Sequence, residues 1–198
     1  MKKRNTLIFG IYCSALLIQN ILALKTIDIV GFTVTTGILI SPVVFILQDV
    51  ESEIYGFHKT KQMILLAYFM NFIFTLLIGI AILIPPAPFY ANQGAFATLF
   101  ATTPRIVIAS FLAYCIGSLT NSKIMTLNKE KYGLFRRAIT STIAGQILDN
   151  AIFAFIAFYG SMPVNLIFKM VIGATIIESL YEIVFYPVTK KIINYLKQ

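Results

Sequence analysis

Three acidic residues stand inside apolar stretches of this chain, and a carboxylate in such surroundings needs a partner or a task. Asp149 lies in the run 138–160, about 11 residues or ~16 Å from its start at 1.5 Å per helical residue. Ser141, Gly145 and Asp149 recur at i, i+4 and i+8, with Thr142, Gln146 and Asn150 beside them. A helix here carries one polar stripe, opposite Phe155 and Ile156, and such a stripe faces a cavity or another helix rather than lipid. Glu178 and Glu182 follow at i, i+4 in the run 164–188. Glu178 is about ten residues, ~15 Å, from the end of that run, a depth similar to that of Asp149. Two carboxylates at one depth on helices adjacent in sequence point to a binding site. The other reading is a buried ion pair with Arg105 or Lys169, or a protonated acid that ties helices together.

The remaining intramembrane polar residues carry weaker signals. Arg105 follows Thr102-Thr103-Pro104, a helix start. Its guanidinium can turn into the bundle and grip a carboxylate or a ligand oxygen, or snorkel to water, as Lys169 is expected to do. Gln19, Asn20 and Ser14, and Thr33, Thr35, Thr36 and Ser41, fit hydrogen bonds between helices; Asn20 and Gln19 also suit the edge of a heterocycle. Pro42 is expected to kink its helix. In Gln48-Asp49-Val50-Glu51-Ser52-Glu53-Ile54-Tyr55-Gly56, Asp49 and Glu53 share a helical face at the end of an apolar run. A gate closed against Arg136, Arg137 or Lys123 is the functional reading; a solvated loop covers Glu51 more easily than these two.

The elements that must position these groups follow from composition. Of 198 residues, 58% are hydrophobic and only 12% charged, about half the charge of a soluble domain. A soluble globular domain, a disordered chain and a disulfide scaffold are thereby excluded. Six apolar runs, 6–24, 29–48, 62–84, 99–120, 138–160 and 164–188, each approach the ~20 residues that cross a bilayer. None alternates as barrel strands do. The expected fold is an all-α, six-transmembrane-helix bundle forming a single transmembrane domain, with an uncleaved first helix after Lys2-Lys3-Arg4. The connecting segments are asymmetric: 13 of the 16 basic residues fall at one side, from Lys2, Lys59 and Lys123 to Arg137 and Lys197. The positive-inside rule then places both termini in the cytoplasm. The charge-free Pro85–Gly94 segment is expected outside, as an interfacial loop with Phe89, Tyr90, Phe96 and Phe100 in an aromatic belt, or else as a re-entrant or lid-like segment.

Several function classes recede. His58 is the single histidine, and Cys13 and Cys115 lie in separate apolar runs, so no metal set or nucleophile–base pair is expected and the chain does not read as an enzyme. Gly56-Phe57-His58-Lys59-Thr60 lacks the spacing that wraps a phosphate. No basic stripe with interleaved aromatics marks a nucleic-acid groove.

The chain resembles the queuosine precursor transporter family, also called the vitamin uptake transporter family. The matching pieces run in the family's order: Asn20 and Lys25; Ser41-Pro42; Asp49-Val50 with Glu53, Tyr55 and Gly56; Pro104-Arg105-Ile106 with Ala109-Ser110, Ala113-Tyr114 and Asn121; Arg137 with Ser141-Thr142; Asp149 with Ile152-Phe153 and Ile156-Ala157-Phe158 before Gly160; Tyr181-Glu182 and Pro187. The chain departs from the family at Ala138, Asn150 and Glu178. The resemblance implies an inner-membrane importer of cyano- or aminomethyl-deazaguanine, or queuine, for tRNA modification, with no cofactor. It also suggests kinship with the substrate-binding membrane subunits of energy-coupling-factor importers. A second copy of the chain or coupling-factor ATPases are the protein partners it allows. For such a ligand Asp149 is the first choice to accept the ring N–H and exocyclic amine together, and Glu182 the second. Arg105, Asn20 or Gln146 would donate to the ring carbonyl, and Tyr114, Phe153 and Tyr55 would stack. Asp49, Glu53 and Glu178 are left for gating or coupling.

Overall fold

A computed structural model describes residues 2–22, 24–29, 32–100, 104–127, 129–160 and 163–197. Among them seven α-helices follow in order: α1 (Lys2–Leu22), α2 (Ser41–Tyr55), α3 (Phe57–Leu83), α4 (Gln93–Phe100), α5 (Pro104–Thr126), α6 (Leu134–Phe158) and α7 (Val164–Lys197). Stretches of α1, α3 and α6, namely Asn5–Leu22, Phe57–Leu83 and Leu134–Phe158, are by themselves long and apolar enough to cross a membrane. The boundaries have local causes. Pro85 and Pro86 end α3, lacking the donor for another turn. Pro104 opens α5 with a ring whose fixed φ suits the first turn. Gly56, at φ +81°, separates α2 from α3 by one residue in a conformation that side chains with a Cβ resist. At 34 residues α7 is about 51 Å long, more than the ~30 Å of a hydrocarbon layer.

The expected second span is corrected. Residues 29–48 do not form one helix. Thr26–Ile29 (β1) and Phe32–Thr35 (β2) pair as an antiparallel hairpin, Thr26 opposite Thr35 and Ile29 opposite Phe32. A 3-10 turn, Thr36–Leu39, leads into α2. Ile29-Val30-Gly31-Phe32-Thr33-Val34-Thr35 opens the apolar run 29–48. Its β-branched residues around a central glycine favour strands instead. Pro42 kinks nothing, because it stands in the first turn of α2, where its missing N–H costs no bond. The fold is therefore helical apart from one short hairpin.

The central element is α2, which touches α1, α3, α5 and α7, while α5 packs most extensively on α6 and α6 on α7. The apolar core joins Tyr12, Leu16, Val44, Val50, Met63, Ile64 and Ala67 from the first three helices with Ile193 of α7. Leu65, Leu66, Phe69, Phe72, Leu76, Leu77 and Ile80 of α3 point outward, as a lipid-facing helix requires. Both ends of the chain reach one end of the bundle: Asn5 Nδ2 donates to Glu51 Oε1 at 2.6 Å, and Lys197 Nζ to Glu53 Oε1 at 2.8 Å.

Candidate functional site: an acidic cavity and a cationic clasp

The stripe on α6 turns inward. Ser141, Thr142, Gly145 and Gln146 are buried, whereas Ile143, Ile147 and Leu148 are exposed. The stripe lines a cavity of about 30 Å³ that α1 closes with Gln19, α2 with Phe45 and Gln48, α5 with Tyr114, Gly117, Ser118 and Asn121, and α7 with Glu178. Asp149 stands in its wall, and its Oδ1 accepts no hydrogen bond among the described residues.

A hydrogen-bonded platform fixes one side of the cavity. Tyr12 Oη donates to Gln48 Oε1 at 3.2 Å, and Gln48 Nε2 donates to the Ser118 carbonyl at 2.9 Å. Because Tyr12 has spent its proton on Gln48, Tyr114 is the donor in the 2.6 Å contact between the two hydroxyls. The Tyr114 ring meets Tyr68 edge-on at 5.2 Å between centroids. The backbones of α5 and α6 come together beside this platform. A Cβ on Gly117 would lie 2.7 Å from Asp149 Cβ and 2.9 Å from the Gly145 carbonyl; one on Gly145 would lie 2.9 Å from the Gly117 carbonyl. Only glycine fits at either position.

The structure brings Asp149, Gln146, Tyr114 and Glu178 to this cavity and sends the other candidate side chains elsewhere. Asn20 Nδ2 donates to Asn71 Oδ1 of α3, a tie between helices away from the cavity. The Phe153 ring packs edge-on against Phe158. The Arg105 side chain lies outside the described residues. Lys169 is exposed near the start of α7. Glu178 takes no cation among the described residues; its Oε2 accepts from Asn150 Nδ2 at 3.0 Å, so two of the family departures are bonded to each other. Glu182, one turn further along α7, misses the cavity. Its Oε2 accepts from Thr142 Oγ1 at 3.3 Å, and its carboxyl faces that of Asp49 on α2. Asp49 is fully buried and no N–H reaches either of its oxygens among the described residues. Two carboxyls so placed repel each other whenever both are charged.

Glu53 lies in opposite surroundings, in the last turn of α2 beyond the apolar run. Its Oε2 meets Arg137 Nη2 at 2.8 Å and Lys129 Nζ at 3.4 Å, and its Oε1 meets Lys197 Nζ at 2.8 Å. Arg137 is itself buried and donates to the carbonyls of Tyr132 and Met125. Of the expected gate partners, Arg137 is present; Lys129 and Lys197 stand in place of Lys123, and Arg136 lies over the Tyr132 ring. Burial pushes the Glu53 carboxyl up, but the bonds from Lys197 and Arg137 and the charge of Lys129 prevail and hold it below the ordinary carboxylate range. Burial pushes the Lys129 ammonium down more than Glu53 raises it. Glu51, beside this cluster, is pushed by burial up to about 7, against the bond from Asn5 and the charge of Lys59. Sequence reasoning missed Gln48, Ser118 and Asn121 as cavity residues, and Gly117 with Gly145 as the contact that positions Asp149. The one available signal was a glycine within a span, which is too common to single out.

Among the described residues no His, Cys, Asp and Glu cluster could hold a metal ion. Cys13 and Cys115 are free and half-buried in α1 and α5.

The architecture is that of a multi-pass helical membrane protein with a small polar cavity among its helices. The chain belongs to the putative vitamin uptake transporter family, whose model matches residues 35–192. It is 26% identical over 172 residues to the probable queuosine precursor transporter of Bacillus subtilis, covering 85% of this chain and 75% of the relative. To the queuosine precursor transporter of Escherichia coli it is 29% identical over 147 residues, 72% of this chain and 63% of the relative. To the probable queuosine precursor transporter of Haemophilus influenzae it is 25% identical over 175 residues, 82% and 73%. All three relatives are named for transport, none for catalysis. No solved structure gives a significant match. The chain is a multi-pass transporter of the cell membrane.

Proposed function

We propose that the chain imports a 7-deazaguanine precursor of queuosine, which then serves tRNA modification. The names of the three relatives support this substrate class. The observation that carries the reading is the Asp149 carboxyl in the wall of a polar cavity, its Oδ1 without a hydrogen-bond partner among the described residues. A 7-deazaguanine offers a ring N–H and an exocyclic amine side by side, and one carboxylate accepts both. Gln146 donates to the ring carbonyl, and the Tyr114 ring covers a face of the base. Adenine reverses the donor and acceptor order, so it would leave buried groups unpaired. A cavity of about 30 Å³ holds one or two waters; the helices must part to admit a bicyclic base.

The proposed topology has six crossings in one transmembrane domain: α1, the 3-10 turn with α2, α3, α5, α6 and α7. The end that carries Lys59, Lys129, Arg137 and Lys197 is cytoplasmic. Open strand edges are not tolerated in hydrocarbon, so the hairpin belongs outside it. The Glu53 clasp closes the cytoplasmic end, and the Asp49–Glu182 pair couples opening to a proton. The test is to express the chain alone in cells that neither make nor import the precursor. Queuosine returning to tRNA when a precursor is supplied is the expected result. A requirement for added ATPase subunits would sink a self-sufficient carrier, and no restoration with any of the three precursors would sink the substrate assignment.

A further inference from the structure

Recognition of a guanine-like edge uses one carboxylate, and the cavity holds two. Glu178 of α7 lines the same cavity as Asp149 of α6. Its carboxyl is held in place, with Oε2 accepting from Asn150 Nδ2 at 3.0 Å. No Lys, Arg or His among the described residues lines the cavity. The neutral groups add to the imbalance. Gln146 and Asn121, only 7% and 5% exposed, line it with amide oxygens that accept no hydrogen bond, and Gln19 of α1 does the same. Two carboxylates and several unpaired acceptors, with no cation beside them among the described residues, favour a ligand that brings protons and positive charge. Screening is weak between helices, so the preference is stronger there than in water.

We infer that the preferred ligand is a 7-deazaguanine whose 7-methylene group carries a protonated amine, with Asp149 holding the guanine-like edge and Glu178 the ammonium. This rests on the proposed import of 7-deazaguanines and selects among them. An alkyl ammonium is charged at neutral pH, as a lysine is, and it donates to both Glu178 and the free amide oxygens. The nitrile of cyano-deazaguanine has no proton to donate, and it turns the negative end of its dipole toward Glu178. Aminomethyl-deazaguanine and queuine share the ammonium; queuine adds a bulky carbocycle.

Titration calorimetry of the purified full chain with cyano-deazaguanine, aminomethyl-deazaguanine and queuine in turn decides the matter. The expected result is a preference of about tenfold or more for the aminomethyl base over the cyano base. Glu178→Gln removes that preference, weakening the aminomethyl base while cyano binding stays within about twofold, and Glu178→Asp restores part of it. The tighter of the two ammonium ligands identifies the natural form, and either supports the inference. Equal affinities, or a preference for the nitrile, overturn it. So does a Glu178→Gln protein, intact by thermal melting, that loses all three ligands equally, since Glu178 is then only a tie to Asn150. A wild-type chain that binds the nitrile alone would leave import of deazaguanines standing while this choice fails; one that binds none of the three ends both.

Discussion

Asp149 and Glu53 are both carboxylates on inward faces of helices, yet their surroundings are opposite. Glu53 meets Arg137, Lys129 and Lys197 within 3.4 Å. Asp149 meets no cation among the described residues, and one of its oxygens is bonded to nothing. A carboxylate supplied with cations by the protein is a fastener. One left without them holds its binding capacity in reserve for something that arrives. Among the described residues the ion pairs all gather on Glu53, at the end of the bundle that carries Lys129, Arg137 and Lys197.

The comparison breaks most decisively at Asp149. Asp149→Asn is expected to weaken 7-deazaguanine binding by roughly 2–5 kcal/mol and to leave thermal stability unchanged or higher, because an unpaired buried acid is removed. Titration calorimetry with a melting curve measures both; unchanged affinity in a folded variant removes Asp149 from the site. Arg137→Ala should do the reverse, losing about 3 kcal/mol of stability as two carbonyls and part of Glu53 lose their donor. A melting temperature within a degree of wild type would show that the clasp fastens nothing. Gly117→Ala should cost about 1–3 kcal/mol and weaken binding as well, since its methyl group drives α6 and Asp149 away; wild-type binding would show that the helices part freely.

Smaller effects separate the two acids of the last turn of α2 by pH. The Glu53 carboxyl is held below 4.5, so its contribution is complete above 4.5 and disappears as pH falls through its folded value. Glu51 is raised from 4.5 to about 7, so its ionisation removes stability as pH rises between those values. Glu51→Gln should therefore stabilise the protein at pH 8 by roughly 1 kcal/mol and change nothing below pH 4.5. Denaturation at the two pH values checks the sign, and equal effects at both would refute it. The smallest effect belongs to Lys197→Ala. That side chain is 52% exposed, and about 0–1 kcal/mol is expected, vanishing in high salt.

The elements that could be read in the sequence are those whose signal is local. The polar stripe of α6 needed only its own spacing, and the long apolar runs of α1, α3 and α6 needed only length. The hairpin was hidden because mean apolarity ignores residue shape, and the start of the run 29–48 is rich in β-branched residues. Glu178 and Glu182 share a face, as i, i+4 spacing requires. One turn of about 5.4 Å still sends one to the cavity and the other to Asp49. Which partner each acid meets depends on α2 and α6, a long-range fact that no spacing within α7 encodes. Asn20 shows the same limit, since its tie to Asn71 crosses from α1 to α3.

The glycine contact between α5 and α6 limits how the molecule can work. Where the two backbones come so close that a Cβ on either glycine would collide with the other helix's carbonyl, there is little room for one to slide or roll on the other. These two helices therefore behave as a fixed post that keeps Asp149 at constant height, and any route to the cavity has to open by swinging the other helices around it.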